Sequence, residues 1–480
     1  MSHRRYAKLA CCILLSAAFG ATAQADTLRD IYELALKNDA KLKVAEATYK
    51  ANLEIENQTF SALLPQVTGE ASYRDSDTDT NNIGVLSNPT PPPDFNLGRI
   101  STNLDTTTKS YGVSVTQALF DMSAWFDFKR GKQISKQAEA QFAYDQQDLI
   151  VRTAEAYFNV LRELDNLQAS RAEERAAQRQ LEQTQQRFDV GLIAITDVHE
   201  ARAVYDNTVV RRLTDEGNVG TAYEVLTLLT NQPHSNLWLL NKDFPVVSPD
   251  PSERGDWVQF ALANNYALQA AIYGEEAARQ HASSRKMEHL PTVTGAFNYA
   301  DDTVDGSRTS RPGSLFSTPP DSDSESTVWS INLQVPLFTG GRISSQRRQA
   351  YEQYNASLQQ RIDTQRTVVQ STRALHILVN TDVERVKARR QAIVSSESAL
   401  EATQAGYEVG TRNIVDVLEA QRVLYQAIRD YANARYDYVV NLLKLKRQSG
   451  ILNPQDIYAL DNWLLAPDAP KASIYEDFNT

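Results

Sequence analysis

Thiols are all but absent from this chain. Its 480 residues include two cysteines, Cys11 and Cys12, both within the first 25 positions. Those positions read as a secretory signal. Arg4, Arg5 and Lys8 give a positive start, Leu9 to Ala21 an apolar stretch too short to span a bilayer comfortably, and Ala23-Gln24-Ala25 a small-x-small cleavage site. From Asp26 onward there is no thiol and no disulfide, so packing alone must hold the fold. A lipid-modified cysteine is not expected, because Lys8 stands three residues before Cys11, where lipoprotein signals want an apolar residue.

Positive charge is also in short supply. The net charge is -11, and removing the three basic and no acidic residues of the signal takes it to -14. An acidic chain repels phosphate, which argues against a nucleic-acid partner. Beyond the signal there is no apolar run of ~18 residues, the length a membrane helix needs. Membrane entry, if it occurs, is then restricted to a closed β-barrel. Enzyme motifs are missing as well: there is no Gly-x-Ser-x-Gly elbow, phosphate loop or zinc-binding helix. His199-Glu200 opens like a zinc motif, but Ala203 stands where the second histidine belongs, and the remaining histidines are scattered. No catalytic residue, metal or cofactor is expected.

Glycine and proline are scarce in two long stretches. Residues 123–188 and 342–408 each hold one Gly and no Pro. Each stretch predicts a helix of roughly 100 Å at ~1.5 Å per residue, far beyond the ~11–12 residues usual for soluble helices.

What is present is present twice. Arg187-Phe-Asp-Val-Gly-Leu-Ile-Ala-Ile-Thr-Asp-Val198 matches Gly406-Tyr-Glu-Val-Gly-Thr-Arg-Asn-Ile-Val-Asp-Val417 at an offset of 219. Leu64-Pro-Gln-Val-Thr-Gly69 matches Leu290-Pro-Thr-Val-Thr-Gly295 at 226, and Gln117-Ala-Leu-Phe120 matches Val335-Pro-Leu-Phe338 at 218. The order and spacing point to a duplicated unit of roughly 220 residues, too long for a solenoid repeat.

Both halves follow one plan. A helical segment (28–62 and 256–288) leads to Leu-Pro. A strand follows, with Val67, Gly69, Ala71 and Tyr73 on one face, and Val293, Gly295, Phe297 and Tyr299 in the second copy. Polar stretches 74–107 and 300–326 then read as loops. A returning strand carries Tyr111, Val113 and Val115 in one copy and Trp329, Ile331, Leu333, Val335 and Leu337 in the other, at a period of two. Next comes the long helix, a Val-Gly turn, and a shorter helix running back (195–231 and 413–449). Ile150, Ala154, Tyr157, Leu161 and Leu164 step at coiled-coil spacing. So do Val417, Leu424, Ile428, Tyr431, Tyr438, Leu442 and Leu445, interrupted by Gln421 and Arg435.

Four strands cannot close a barrel, and a lipid-exposed sheet edge is not tolerated. The barrel must be shared between chains. Two chains would give eight strands, filled by side chains; three give twelve, which can leave a passage. Three are preferred.

Certain segments carry a family resemblance: Phe120-Asp-Met-Ser-Ala-Trp125, Thr153-Ala-Glu-Ala-Tyr-Phe-Asn-Val-Leu161, Arg187 to Tyr205, Val394-Ser-Ser-Glu-Ser-Ala-Leu400, Gly406 to Ala420, and Ala432-Asn-Ala-Arg-Tyr436. They occur in order, on both halves, and the chain resembles the TolC family of outer-membrane channel-tunnels over nearly all of its length after the signal. The resemblance implies a mixed α and β membrane protein. It would be a homotrimer whose twelve-stranded barrel continues into a long periplasmic α-helical barrel. The implied layout is a signal at 1–25, repeat 1 at 26–231, an equatorial connector at 232–255, repeat 2 at 256–449 and a C-terminal equatorial segment at 450–480. The implied role is a passive duct for tripartite drug efflux or type I protein secretion, opened by an inner-membrane pump or ABC transporter and a periplasmic adaptor. Such a protein sits in outer-membrane lipid and reaches into the periplasm.

The Val-Gly turns carry the candidate site. Gly191 and Gly410 suit the left-handed residue that ends a helix, and Thr196 and Asp197 are placed to cap the next one. Ordinary helix turns would need the same residues. By resemblance, Val190, Gly191, Leu192, Val409, Gly410 and Thr411 form the entrance tips that meet the adaptor. Asp416 and Glu419, three apart on one helix face, would repeat around the axis as a ring of carboxylates. In the pattern the chain resembles both positions are aspartate; Glu419 is one methylene longer, which keeps the charge and leaves the constriction's width and geometry open. Carboxylates in a first helical turn equally suit the macrodipole. Thr196, Asp197, Tyr407 and Arg412 match polar links that hold the entrance shut. The rival readings are a structural or adhesive coiled-coil envelope protein, which needs neither amphipathic strands nor twin tips, and an uptake porin, which normally carries its whole barrel in one chain.

Overall fold

The structure is a computed structural model that describes residues 26–88, 94–312 and 320–467. The signal at 1–25 and positions 468–480 of the C-terminal segment lie outside the described residues. In chain order the elements are α1 (Leu28–Asn38), α2 (Ala40–Ser61), β1 (Gln66–Asn88), β2 (Asp94–Phe120), α3 (Met122–Asp189) and α4 (Ile195–Thr230). Then come β3 (Leu239–Leu240), α5 (Arg254–Asn264), α6 (Tyr266–Met287), β4 (Thr292–Arg311), β5 (Ser322–Gln334), α7 (Arg342–Glu408) and α8 (Ile414–Gln448), with α9 (Pro454–Asp461) and β6 (Leu464–Leu465) last. The plan of two helices, a hairpin, a long helix and a return helix occurs twice. The chain divides into two compact units.

One unit comprises Lys50–Gln137 and Ile272–Gln360. Its sheet has the antiparallel order β1-β2-β4-β5, with β1 and β5 at the edges. The strands are far longer than the alternation of apolar residues predicts. Most of 74–107 and 300–326, expected as loops, is strand, and Asn88 pairs with Asp94 at the β1-β2 turn. Polar cross-strand partners replace the missing apolar face. Asn103 Nδ2 donates to Asp77 and Asp79 at 2.7 and 3.0 Å. The Thr68 and Ser114 hydroxyls meet at 2.6 Å, and Lys109 reaches Asp305 at 3.3 Å. At the other end β5 stops at Gln334, short of Val335 and Leu337, because Pro336 has no N–H for the ladder. The helical part of this unit packs closely. A Cβ on Gly131 of α3 would lie 2.2 Å from Thr59 Oγ1 of α2, so only glycine admits that approach. The Ser123 and Ser284 hydroxyls join α3 to α6 at 2.9 Å.

The second unit takes the remaining described segments and is mainly helical, with the short β3 and β6 strands. Ile150, Ala154, Tyr157 and Leu161 of the expected α3 seam are buried, with Leu164 half-buried. On α8 the seam of Val417, Leu424, Ile428, Tyr438 and Leu445 is buried too. Each fully buried large apolar side chain contributes about 1.5–3 kcal/mol. Arg435, which interrupts the seam, is buried, donates to the Asn241 carbonyl and lies over the Tyr431 ring. The mid-chain connector meets the C-terminal segment here. Leu239 and Leu240 of β3 pair with Leu465 and Leu464 of β6, and Phe244 stacks edge-on with Trp463.

Two helical segments expected as continuous are each broken once. Asp39 separates α1 from α2, and Asn265 separates α5 from α6. Each residue ends one helix and caps the next. Asp39 Oδ1 accepts from Leu42 N at 2.6 Å, and Asn265 Oδ1 from Leu268 N at 2.9 Å.

Candidate functional site

The two Val-Gly turns have the same backbone. Gly191 and Gly410 both adopt φ 77°. Gly191 N donates to Phe188 O and Leu192 N to Arg187 O, at 2.8 and 2.9 Å. In the second copy Gly410 N donates to Tyr407 O and Thr411 N to Gly406 O, at 3.1 and 2.9 Å. These paired bonds close each helix as a Schellman motif, which requires the left-handed residue. Val190, Leu192 and Val409 stand 71%, 73% and 75% exposed. Three large apolar side chains at the turns therefore contribute nothing to the core of this chain. Behind them Ala201, Ile414, Val417 and Leu418 form a small buried cluster with Leu181, Val204, Leu400 and Tyr407. It ties α3, α4, α7 and α8 together.

The caps beyond the turns differ. Thr196 and Asp197 do not cap α4. Its N-cap is Ala194, which offers no side-chain acceptor, and the Thr196 hydroxyl instead donates to Asp197 Oδ1 at 3.3 Å. The helix begins one or two residues before the expected cap, so both side chains lie inside its first turn. In α8 the cap is Asn413, which forms a capping box with Asp416. Asn413 Oδ1 accepts from Asp416 N at 2.8 Å, and Asp416 Oδ2 accepts from Asn413 N at 3.4 Å. The Asn-x-x-Asp spacing was legible in the sequence and marks this cap.

Asp416 and Glu419 line one open groove of about 410 Å³ with Arg412, between α7 and α8. Arg412 Nη1 lies 3.8 Å from Asp416 Oδ2. Arg422, one turn on, donates to Glu419 Oε2 at 2.8 Å, and this bond holds the Glu419 carboxyl below its ordinary range. Arg422 is a further residue of the site, and its spacing of three from Glu419 is the ion-pair spacing of a helix.

Among the described residues Thr196 and Asp197 are the one pair of the four latch candidates that shares a hydrogen bond. Among the described residues Tyr407 Oη has no hydrogen-bond partner although it is buried. Its ring lies under the Arg187 guanidinium, 4.7 Å from the centroid. Such a stack is worth about 0.5–2 kcal/mol. Arg187 is a further residue of the site, in the last turn of α3, where a cation also suits the helix dipole.

The outer membrane efflux protein family model matches residues 31–232 and 257–450, one match in each copy of the repeat. Outer membrane protein TolC of Vibrio cholerae is 36% identical over 450 residues, covering 93% of this chain and 96% of that protein. TolC of Escherichia coli is 34% identical over 452 residues, covering 94% and 87%. The alkaline protease secretion protein AprF of Pseudomonas aeruginosa is 25% identical, covering 90% and 85%. Among solved structures, CusC superposes with a TM-score of 0.72 at 18% identity, covering 88% of this chain and 92% of that one. The CmeC outer membrane channel of Campylobacter jejuni gives 0.70 at 18%, covering 91% and 90%. On a family match in both halves and a relative at this identity over nearly its whole length, the chain belongs to the outer membrane efflux protein family, whose members are outer-membrane export channels and not enzymes.

Proposed function

We propose that three copies of the chain close one export duct, each giving four strands to a twelve-stranded barrel and its long helices to a periplasmic conduit. The observation that carries this reading is the open sheet. In an outer-membrane chain, β1 and β5 are left as edges, and hydrocarbon cannot satisfy their backbone groups. Neighbouring copies can. Residues 26–231 and 256–449 act as the two repeats. The connector at 232–255 and the segment at 450–480 form a collar, for which the β3-β6 pairing gives support.

The exposed apolar tips at Val190, Leu192 and Val409 suit docking by a periplasmic adaptor, which links the duct to an inner-membrane pump. The names of the relatives point to both efflux and protease secretion, so either cargo class fits. Tyr407 supplies a latch bond across chains: its buried hydroxyl lacks a partner among the described residues of its own chain, and Asp197 on a neighbour is the matching acceptor. Arg412 adds a charge-assisted link. Asp416 and Glu419 ring the passage and favour cations.

Conductance tests this. Arg412→Ala together with Tyr407→Phe should raise the ion conductance of the purified protein in a planar bilayer; an unchanged conductance sinks the latch. Asp416→Ala with Glu419→Ala should weaken block by divalent cations, and equal block in parent and variant counts against the ring.

A further inference from the structure

We infer that the groove between α6 and α7 binds the phosphate headgroup of an anionic phospholipid in the membrane leaflet next to the helices. This rests on the barrel reading above. The groove, of about 740 Å³, lies within the sheet-bearing unit. Lys286 lies in the last turn of α6, and Arg347 and Arg348 lie in the second turn of α7; all three are exposed. Ser283, Ser345 and Tyr351 line the same groove with hydroxyls. Nearby cations are spoken for: Arg279 pairs with Glu276 at 2.7 Å, and Arg285 with Glu288. Among the described residues Lys286, Arg347 and Arg348 form no ion pair. Three cations converge on a groove with one carboxylate, Glu352, whose side chain accepts from Asn355.

The duplication supplies an internal comparison. At the offset of 218, Lys129-Arg130 stands where Arg347-Arg348 stands. In that copy the charges are answered inside the chain. Lys129 Nζ lies over the Trp125 and Phe126 rings at 5.6 and 5.1 Å, and Arg130 pairs with Asp127 at 3.2 Å. The second copy has Ser345 in place of Asp127 and Ile343 in place of Trp125. At the offset of 226, Lys286 replaces Phe60. The second copy thus keeps the cation pair, adds a third cation, and drops the internal partners. An anion from outside the chain completes it.

The surroundings select a lipid over a free anion. Trp329, Ile331 and Leu333 on one face of β5 are 78%, 76% and 65% exposed, and Leu337 and Phe338 are 91% and 89% exposed. Gly340-Gly341 follows, then α7, where Arg347 sits about 8 Å along the axis. Apolar surface followed by cations is the order in which a leaflet presents acyl chains and phosphate.

The test is native mass spectrometry of the full chain in detergent, offered equal amounts of phosphatidylglycerol and phosphatidylcholine with the same acyl chains. Preferential retention of phosphatidylglycerol is expected. Lys286→Gln, Arg347→Gln and Arg348→Gln together should abolish the preference, about fivefold per cation lost. The charge-keeping variant Lys286→Arg, Arg347→Lys, Arg348→Lys should retain it, and inorganic phosphate should not displace the lipid. Equal retention by the parent, an unchanged preference in the glutamine variant, or displacement by phosphate overturns the inference. Planar-bilayer recording of the same preparation separates the two readings. Protein that conducts without lipid preference overturns the lipid site alone, and protein that neither inserts nor conducts overturns the channel reading with it.

Discussion

Asp165 makes the helical unit sensitive to pH in an unusual direction. It is buried on α3, where its Oδ2 accepts from the Tyr436 hydroxyl of α8 at 2.6 Å. Burial raises its carboxyl from 3.8 to about 6, more than the Tyr436 bond and the Arg435 charge lower it. The folded helices therefore favour the neutral acid. That contribution is complete below the ordinary carboxylate value and is lost as pH rises through about 6. The difference of roughly two units corresponds to about 3 kcal/mol by pH 8. Asp165→Asn keeps an acceptor for Tyr436 and removes the charge. Amide hydrogen exchange over residues 160–170 and 430–440 reads the effect. Comparing parent and variant at each pH cancels the intrinsic exchange rates. Between pH 5 and pH 8 the parent should lose protection relative to Asp165→Asn by about tenfold, the share of the loss that falls above pH 5. Profiles that stay parallel across that range refute the reasoning.

Two further changes test the joints and the tips. Asp39→Ala removes the cap on Leu42 N and the paired bonds from Arg152 at 2.9 and 3.2 Å, and should cost about 2–4 kcal/mol in a thermal or denaturant melt. Burial pushes the Asp39 carboxyl up, but Arg152 and Leu42 N–H more than offset it and hold it below 3.8. Its contribution is thus present at neutral pH and lost only as pH falls through that lowered value. Gly410→Ala places a side chain at φ 77° and should cost about 1–2 kcal/mol, seen as faster proteolytic nicking at the second tip.

The long helices were legible because glycine and proline are missing from them, and the tips because Val-Gly recurs at a fixed offset. Strand length was not. Between Arg74 and Asn82 both faces are polar, so a period of two leaves no trace in hydropathy; the support comes from partners such as Asn103, 26 and 24 residues from Asp77 and Asp79 in sequence. The joints at Asp39 and Asn265 were also hidden. Apolar spacing continues past each, and only the capping bond shows the break. At the tip, charge spacing suggested the Asp416-Glu419 pair. The same spacing rules place Asn413 three residues before Asp416 and Arg422 three after Glu419, but only the folded helix shows that both engage those carboxylates. Tyr407 was found through resemblance, but its stacking on Arg187 depends on two helices meeting.

The open sheet has a kinetic consequence. A lone chain carries two rows of unsatisfied backbone groups, on β1 and β5, beside exposed Trp329, Ile331 and Leu333. Such a chain is an adhesive intermediate, apt to pair with any strand it meets. Its maturation is then a reaction of higher order in protein, hastened by crowding nascent chains together and slowed by dilution. Escort of the unpaired edges, more than the speed at which the helices form, would set how quickly functional protein accumulates.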